Sequence, residues 1–220
     1  MISKIITIFH KKIVHSRREQ ALAIAINQMI IKFNIKCSSL LDVGCGDGTI
    51  SSNINSLNTN KISLQGVEFL PRGETKIPVV QFDGVNLPFP SGSFDVVLLC
   101  DVLHHIPSEE IIVKLLKECA RVGKHGIILK DHPIENGFDR AFISAMDWFG
   151  NYGQGIPLPF NFPSRAGWEK IFLKAGLKSS GRMEGAIGVH PKALRFLTEA
   201  PFWSKPFHFI EYLTKESDCD

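Results

Sequence analysis

A glycine turn between a short apolar segment and a helix start constrains this chain more than any other feature. Residues 40–49 read LLDVGCGDGT, with glycine at positions 44, 46 and 48. Glycine is needed where the backbone takes a positive φ or passes close to a ligand, and a helix start presents unpaired N–H groups. The spacing also suits a structural turn, and it differs from the dinucleotide fingerprint G-x-G-x-x-G. A nucleotide pyrophosphate therefore matches this turn less well than an uncharged ribose that carries an amino acid.

Apolar segments alternate with helical ones along the first two thirds of the chain. The candidate strands are nearly unbroken apolar runs, as in parallel strands covered on both faces; they span residues 40–43, 62–67, 77–82, 94–99 and 126–129. The spacing of apolar residues predicts helices over 15–33 and 108–122, with Ser108 as the N-cap of the second. This alternation indicates an α/β fold, doubly wound around a mostly parallel sheet. Without repeats or a linker, we expect residues 1–220 to form one domain.

The last third has a different pattern. Residues 138–149 are predicted to be helical, but proline and glycine interrupt 151–163 throughout. A short helix over 168–175 ends at Gly176, which suits the left-handed cap position. Residues 177–186 and 207–213 are candidate strands that we expect to pair antiparallel at one sheet edge.

Composition excludes several classes of protein. Of 220 residues, 44% are hydrophobic and 21% charged, as in an ordinary globular domain. The net charge of +3 is too small to imply a nucleic-acid partner, and the chain has no basic stripe with interleaved aromatics. The five cysteines form no C-x-x-C pair, which favours a reducing cytoplasm. The apolar runs are too short for a signal peptide or a membrane span, so we expect no membrane insertion.

Three carboxylates accompany the glycine turn. Glu68 ends the second candidate strand, at the sheet edge where such folds bind ligands, and could accept hydrogen bonds from both ribose hydroxyls. Asp83 ends the third and suits an exocyclic adenine amine, with Gly84 leaving room for the base. Asp42 lies in an apolar strand, where a carboxylate is costly unless hydrogen-bonded; it could hold the loop or orient a ligand's ammonium. A surface glutamate and a simple turn are the alternatives for Glu68 and Asp83.

As a set, these motifs resemble the class I S-adenosylmethionine-dependent methyltransferases, in the small-molecule group called type 11. The resemblance covers roughly residues 38–213; its matching stretches are residues 40–49, 66–69, 82–106, 126–132 and 168–177. It implies a seven-stranded sheet of order 3-2-1-4-5-7-6 with strand 7 antiparallel. It also implies S-adenosylmethionine as cofactor and S-adenosylhomocysteine as product. The cofactor-binding residues it implies, together with those argued above, are Asp42, Gly44, Cys45, Gly46, Gly48, Glu68, Asp83, Gly84 and Cys100.

Titratable side chains follow the fourth and fifth strands. Because the cofactor's sulfonium already makes its methyl group electrophilic, the protein must mainly align an acceptor and exclude water; a hydroxyl acceptor also benefits from a general base. In sugar and natural-product O-methyltransferases that resemble this chain, a histidine after strand 4 and an aspartate after strand 5 can serve this purpose. The candidates are His104, His105 and Asp131, with His132 beside them, although the paired histidines could simply pack or cap. We expect no metal cluster, while Asp131 and His132 leave a metal-assisted variant open.

The acceptor is the least constrained element. An aromatic, proline-rich insertion over about 133–165 is where the family often builds its acceptor pocket; its aromatic residues are Phe138, Phe142, Trp148, Phe149, Tyr152, Phe160 and Phe162. With the N-terminal segment 1–37 as a lid, it predicts a small acceptor with an apolar or aromatic part. With the candidate bases above, we expect methylation at oxygen. The alternatives are carbon methylation of a quinone-like or lipid acceptor, a non-catalytic cofactor-binding module, and a nicotinamide dehydrogenase, which the glycine spacing disfavours. We expect a monomer or a homodimer.

Overall fold

The computed structural model describes residues 2–71, 73–151, 158–184 and 208–216, with the side chains of 2–15 and 149–151 outside the description. Seven strands and five helices alternate through most of this part of the chain. In order they are α1 (Ile2–Lys32), β1 (Ser39–Val43), α2 (Thr49–Leu57), β2 (Ser63–Glu68), β3 (Val79–Gln81), β4 (Phe94–Cys100), a 3-10 turn (Leu103–His105), α3 (Glu109–Val122), β5 (Gly123–Asp131), α4 (Gly137–Asn151), α5 (Arg165–Lys174), β6 (Leu177–Glu184) and β7 (Phe209–Lys215).

The strands form one sheet of order β3-β2-β1-β4-β5-β7-β6. The first five pair parallel, whereas β7 lies antiparallel between β5 and β6. The order and the inserted antiparallel strand are those that the resemblance implied, so the fold prediction is confirmed. Residues 152–157, 185–186 and 207, to which the sequence predictions also extend, lie outside the described residues.

Apolar residues cover both faces of the sheet, as a doubly wound fold requires. Alternate residues of the central strands point to opposite sides, because side chains alternate along a strand. On one face Leu41 and Val97 join a core with residues of α3 and α5, including the buried Trp168. On the other face Leu40 and Val96 pack with residues of α1 and α2. The central strands are therefore apolar on both sides, which is why they appear in the sequence as unbroken apolar runs.

Several elements differ in extent from the sequence predictions. The helix expected from residue 15 begins at Ile2, and β5 extends three residues before and two beyond the apolar run 126–129. Ser108 stands at the N-cap of α3 as expected, but its hydroxyl donates to Glu110 and caps no helix N–H. Gly176 follows α5 with φ +70°, the left-handed conformation that was predicted. Among the described helices, none combines the length and the apolar character that crossing a membrane requires.

Candidate functional site

The glycine turn connects β1 to α2 and is bonded to the end of β2. The N–H groups of Gly44 and Cys45 donate to the carbonyl of Val67, at 2.9 and 3.3 Å. All three glycines have positive φ, +68°, +59° and +77° at residues 44, 46 and 48. A Cβ on Gly48 would lie 2.5 Å from Cγ1 of Ile77. The backbone conformation and the close packing together therefore require glycine at this last position.

Glu68 lies beside the turn, at the end of β2. Its Oε2 accepts a hydrogen bond from the N–H of Gly46 at 2.8 Å, and its Oε1 accepts from the N–H of Phe69 at 3.0 Å. Each carboxylate oxygen can accept a further hydrogen bond. The structure thus brings Glu68 together with the glycine turn at one point on the sheet edge.

Asp42 is buried beneath the turn, with 3% of its surface exposed. It accepts a hydrogen bond from the hydroxyl of Ser51 in α2. Burial raises the pKa of Asp42 to about 7, although the hydrogen bond from Ser51 acts in the opposite direction. The negative charges of Glu68 and Asp47 raise this pKa further. A cation bound nearby would favour the ionised form of this carboxyl group.

The start of α2 differs from the expectation of unpaired N–H groups. The N–H of Thr49 donates to Oδ1 of Asp47 at 3.0 Å, so the expectation is wrong for this group. A carboxylate at the start of the helix repels a phosphate group, which argues further against a nucleotide pyrophosphate. The hydroxyl oxygen of Thr49 is buried and has no hydrogen-bond partner within the described part of the chain.

Asp83 lies just beyond β3. Its neighbour Gly84 lies close to Phe69, the residue that follows Glu68. The carboxylate of Asp83 accepts hydrogen bonds from the N–H groups of Val85 and Asn86, at 2.8 and 2.6 Å, and from the side-chain amide of Asn86. These hydrogen bonds lower the pKa of Asp83, and the bond from the Asn86 side-chain amide has the largest effect. A Cβ on Gly84 (φ +88°) would lie 3.5 Å from Cδ2 of Phe69, so the ends of β2 and β3 adjoin.

The two cysteines assigned to the cofactor lie at the same edge. A Cβ at Gly66 would lie 2.5 Å from the sulfur of Cys45, so the glycine in β2 makes room for this thiol. Cys100 ends β4, next to β1 in the sheet. Burial raises the pKa of both thiols, which are therefore neutral. All nine residues assigned to the cofactor are thus on β1 to β4 or their adjoining loops, and their carboxylates and backbone groups suit the hydroxyls, amines and uncharged base of an adenosyl amino acid.

The histidine and aspartate candidates lie at the same edge, where β4 and β5 end. His104 Nδ1 lies 2.8 Å from Asp131 Oδ1, and the side chains are 2% and 0% exposed. Burial disfavours the charged imidazole, but the charge and hydrogen bond of Asp131 outweigh it and, with Asp147, raise the pKa of His104 to about 10. The ring of Phe162 stacks on that of His104 at 5.1 Å. One aromatic residue of the predicted acceptor segment therefore contacts this cluster.

His105 differs from its neighbour in exposure and charge. Its side chain is 19% exposed. Burial lowers the pKa of His105, and the charge of His104 lowers it further. Their rings are 4.1 Å apart between centroids, so a protonated His104 keeps His105 neutral.

A second ionic cluster surrounds Asp101, the residue after β4. Asp101 accepts hydrogen bonds from Arg18 of α1 and from Lys130 of β5, and its Oδ1 lies 3.0 Å from Nε2 of His132. Burial disfavours its ionised form, but Lys130 and Arg18 hold the pKa of Asp101 well below its usual range. Its φ of +58° is rare for a residue with a side chain. The cluster joins the N-terminal helix to the edge of the sheet that carries the candidate site.

Sequence reasoning missed four residues of these clusters: Arg18, Asp101, Lys130 and Asp147. One of them, Lys130, could have been identified from the sequence, because a lysine inside an apolar strand needs a buried partner. Asp147 lies on α4, with its Oδ1 3.6 Å from His104 Nε2 and 3.9 Å from His105 Nε2. Nothing in the local pattern of α4 distinguishes Asp147 from a surface carboxylate, because its partners come from another part of the chain.

The chain is similar to known methyltransferases. Residues 41–129, from β1 to β5, match a family model described as a methyltransferase domain, type 11. A demethylmenaquinone methyltransferase of Staphylococcus carnosus is 28% identical over 167 residues, 66% of this chain and 69% of that protein. The 27-O-demethylrifamycin SV methyltransferase of Amycolatopsis mediterranei is 27% identical over 100 residues, 40% of this chain and 35% of that protein.

The solved structures agree in fold. The mitomycin 7-O-methyltransferase MmcR superposes with a TM-score of 0.62 over 91% of this chain and 54% of that one, at 14% identity. A likeness at this identity concerns the fold alone. The match of residues 41–129 to the methyltransferase domain of type 11, together with the sheet order and the glycine turn, supports a class I S-adenosylmethionine-dependent methyltransferase that has S-adenosylmethionine as its cofactor.

Proposed function

We propose that this protein transfers the methyl group of S-adenosylmethionine to an oxygen atom of a small acceptor that has an apolar or aromatic part. One observation carries the proposal: the buried His104–Asp131 pair, beside the more exposed His105, at the sheet edge that bears the glycine turn. A buried imidazole–carboxylate pair next to a neutral imidazole is an arrangement suited to removing a proton from a hydroxyl group.

For the cofactor, we propose that Glu68 accepts the ribose hydroxyls, Asp83 accepts the adenine amine, and the turn 44–48 with Asp42 faces the amino-acid portion. Cys45, Gly84 and Cys100 line the same cleft. Bound there, the cofactor supplies a methyl group that is already electrophilic. The proximity of Glu68 to Gly46, and of Phe69 to Gly84, supports one continuous binding site.

Of the three residues predicted to act in catalysis, we propose His105 as the general base. A base must hold a lone pair at working pH. His104 has both ring nitrogens directed at carboxylates, Nδ1 at Asp131 and Nε2 at Asp147, and its raised pKa keeps it protonated. His105 has the lowered pKa and the greater exposure. His104 and Asp131 are then positioning residues that hold His105 neutral and in place.

The acceptor class is supported by the segment 133–165 and by the names of the relatives. Phe138 and Trp148 on α4 are 58% and 47% exposed, and Phe162 is stacked on His104. Exposed aromatic side chains on α4, the helix that also carries Asp147, suit an aromatic acceptor. We propose that this segment and the N-terminal segment 1–37 enclose the acceptor within a single domain.

A second candidate is carbon methylation of a quinone-like acceptor. The observation in its favour is the similarity to a demethylmenaquinone methyltransferase over 66% of this chain. Such an acceptor in its reduced form also carries hydroxyl protons, so His105 would have the same role. The two candidates differ only in the atom that receives the methyl group.

The experiment is a transfer assay with S-adenosylmethionine that carries an isotope-labelled methyl group. Its acceptors are hydroxylated aromatic compounds, a reduced demethylated naphthoquinone and a tRNA. Labelled O-methyl product from the hydroxylated compounds, identified by mass spectrometry and NMR, is expected. A label on ring carbon would select the second candidate, and transfer to tRNA alone would contradict both.

A further inference from the structure

We propose that His104, His105 and Asp147 form a binding site for a divalent transition-metal ion of the zinc type. The inference rests on the proposed function only for the fourth ligand, an oxygen of the acceptor. Two imidazoles and one carboxylate are a donor set that zinc and its neighbours prefer.

The three candidate ligand atoms converge on one point. Oδ1 of Asp147 lies 3.6 Å from Nε2 of His104 and 3.9 Å from Nε2 of His105, and one ligand atom from each of the three side chains lies within 4.8 Å of the other two. Tetrahedral ligands bonded to zinc at their usual lengths are separated by about 3.3 Å. The two distances to Asp147 exceed this separation by about 0.3 and 0.6 Å, so a modest rotation of the side chains would bring the atoms into coordination.

Asp131 supplies the orienting partner that metal-bound histidines require. A histidine that binds a metal through one ring nitrogen usually donates the other N–H to a carboxylate, which fixes the tautomer and the ring orientation. His104 Nδ1 lies 2.8 Å from Asp131 Oδ1, which leaves Nε2 on the side of Asp147. The imidazole therefore already has the orientation that coordination through Nε2 needs.

A competing group of Asp101, His104 and Asp131 is less suitable. Asp101 is already the acceptor for Arg18 and Lys130, and Asp131 is fully buried and already bonded to His104 Nδ1. In the first group, by contrast, the side chains of His105 and Asp147 are 19% and 11% exposed, so an ion can reach them. Three protein ligands with one position open is the arrangement of catalytic zinc sites.

The ion would change how the acceptor proton is removed. Binding displaces the proton on Nε2 of His104, because a metal ligand must be deprotonated. An acceptor hydroxyl then binds at the fourth position, where the ion lowers its pKa and the proton leaves to solvent. The oxygen lone pair forms the new C–O bond as the donor's S–C bond breaks, and the sulfur keeps that electron pair. In the metal-bound enzyme the ion thus takes over the role that His105 has without it.

The test uses Co²⁺ as a spectroscopic probe on the full chain after chelator treatment. We expect one equivalent to bind with visible d–d absorption of a tetrahedral site, and Zn²⁺ to displace it. His105→Ala and Asp147→Asn should abolish this binding, while Asp131→Asn should weaken it about 10- to 100-fold. His125→Ala, an exposed histidine on β5, is the matched control and should bind Co²⁺ as the wild type does. Unchanged affinity for S-adenosylmethionine shows that each variant is folded.

Two outcomes would overturn the inference: no saturable Co²⁺ binding by the wild type, or equal binding by His105→Ala and Asp147→Asn. Methyl transfer measured in the presence of chelator separates this result from the proposed function. Transfer that persists in chelator and is lost in His105→Ala supports the proposed function even where the wild type binds no Co²⁺, so the metal site can fail while the proposed function stands.

Discussion

His104 and Asp131, 27 residues apart in the chain, form a buried pair with Nδ1 and Oδ1 2.8 Å apart. The first follows β4 and the second ends β5, so the parallel pairing of these strands brings them together. Asp131 stabilises the protonated form of His104. Burial lowers the pKa of His105, and the positive charge of His104 lowers it further. The buried ion pair therefore adds to the effect of burial in keeping the proposed base neutral.

Replacing the proposed base should slow transfer without affecting the cofactor. His105→Ala is expected to lower kcat by about 10²- to 10⁴-fold, the usual contribution of a general base. Its affinity for S-adenosylmethionine should stay at the wild-type value, because the proposed cofactor residues lie on β1 to β4 and their adjoining loops. Steady-state kinetics and calorimetry measure the two quantities, with His125→Ala as control. A kcat within twofold of wild type would reject the assignment.

The pH profile should identify which imidazole acts. A base whose pKa lies below 6.5 stays neutral through the physiological range, so kcat should fall only as the pH drops below about 6.5. Removing the neighbouring charge in His104→Gln should raise the pKa of His105 and move this acid limb to higher pH. An acid limb near pH 10 in the wild type would instead indicate His104 as the base.

The buried pair should also make stability depend on pH. Because the folded-state pKa of His104 is raised to about 10, its stabilising contribution is full below about 6.5 and is lost as the pH rises through 10. Asp131→Asn should therefore lower the free energy of unfolding by about 3 kcal/mol at pH 6, and by less toward pH 10. Urea denaturation at several pH values measures this difference. A difference that does not change with pH would contradict the ion pair.

The last glycine of the turn should tolerate no side chain. Gly48→Ala places a Cβ 2.5 Å from Ile77 at a φ of +77°, so we expect a loss of about 2 kcal/mol or more. Gly137→Ala is the matched control, because a Cβ at this first residue of α4 meets no atom within 4 Å. Thermal denaturation compares the two. Equal melting temperatures would show that the turn is looser than described.

Cofactor binding should release a proton from Asp42. Its pKa of about 7 leaves it about half protonated at neutral pH, and the positive charges of S-adenosylmethionine would favour the ionised form. Calorimetry in two buffers of different ionisation enthalpy should detect release of up to about half a proton per cofactor at pH 7. Asp42→Asn should abolish that release. If the variant releases as many protons as the wild type, Asp42 does not lie near the cofactor's charges.

The sequence predicted the sheet better than the clusters at its edge. Unbroken apolar runs indicated the central strands because both faces of the sheet are covered. The apolar run in β5 stops at Leu129, yet the strand continues through Lys130 and Asp131, which are buried because Asp101 and His104 pair with them. Such partners are distant in sequence, so neither local polarity nor periodicity could indicate them. Asp147 was missed for the same reason.

The most direct test of the central claim is a crystal structure of the protein with S-adenosylhomocysteine. We predict that the ribose hydroxyls contact Glu68, that the adenine amine contacts Asp83, and that the amino-acid portion lies against the turn at 44–48. The sulfur atom should lie on the side that faces His105. An adenosyl group bound elsewhere, with Glu68 still bonded only to Gly46 and Phe69, would contradict the account.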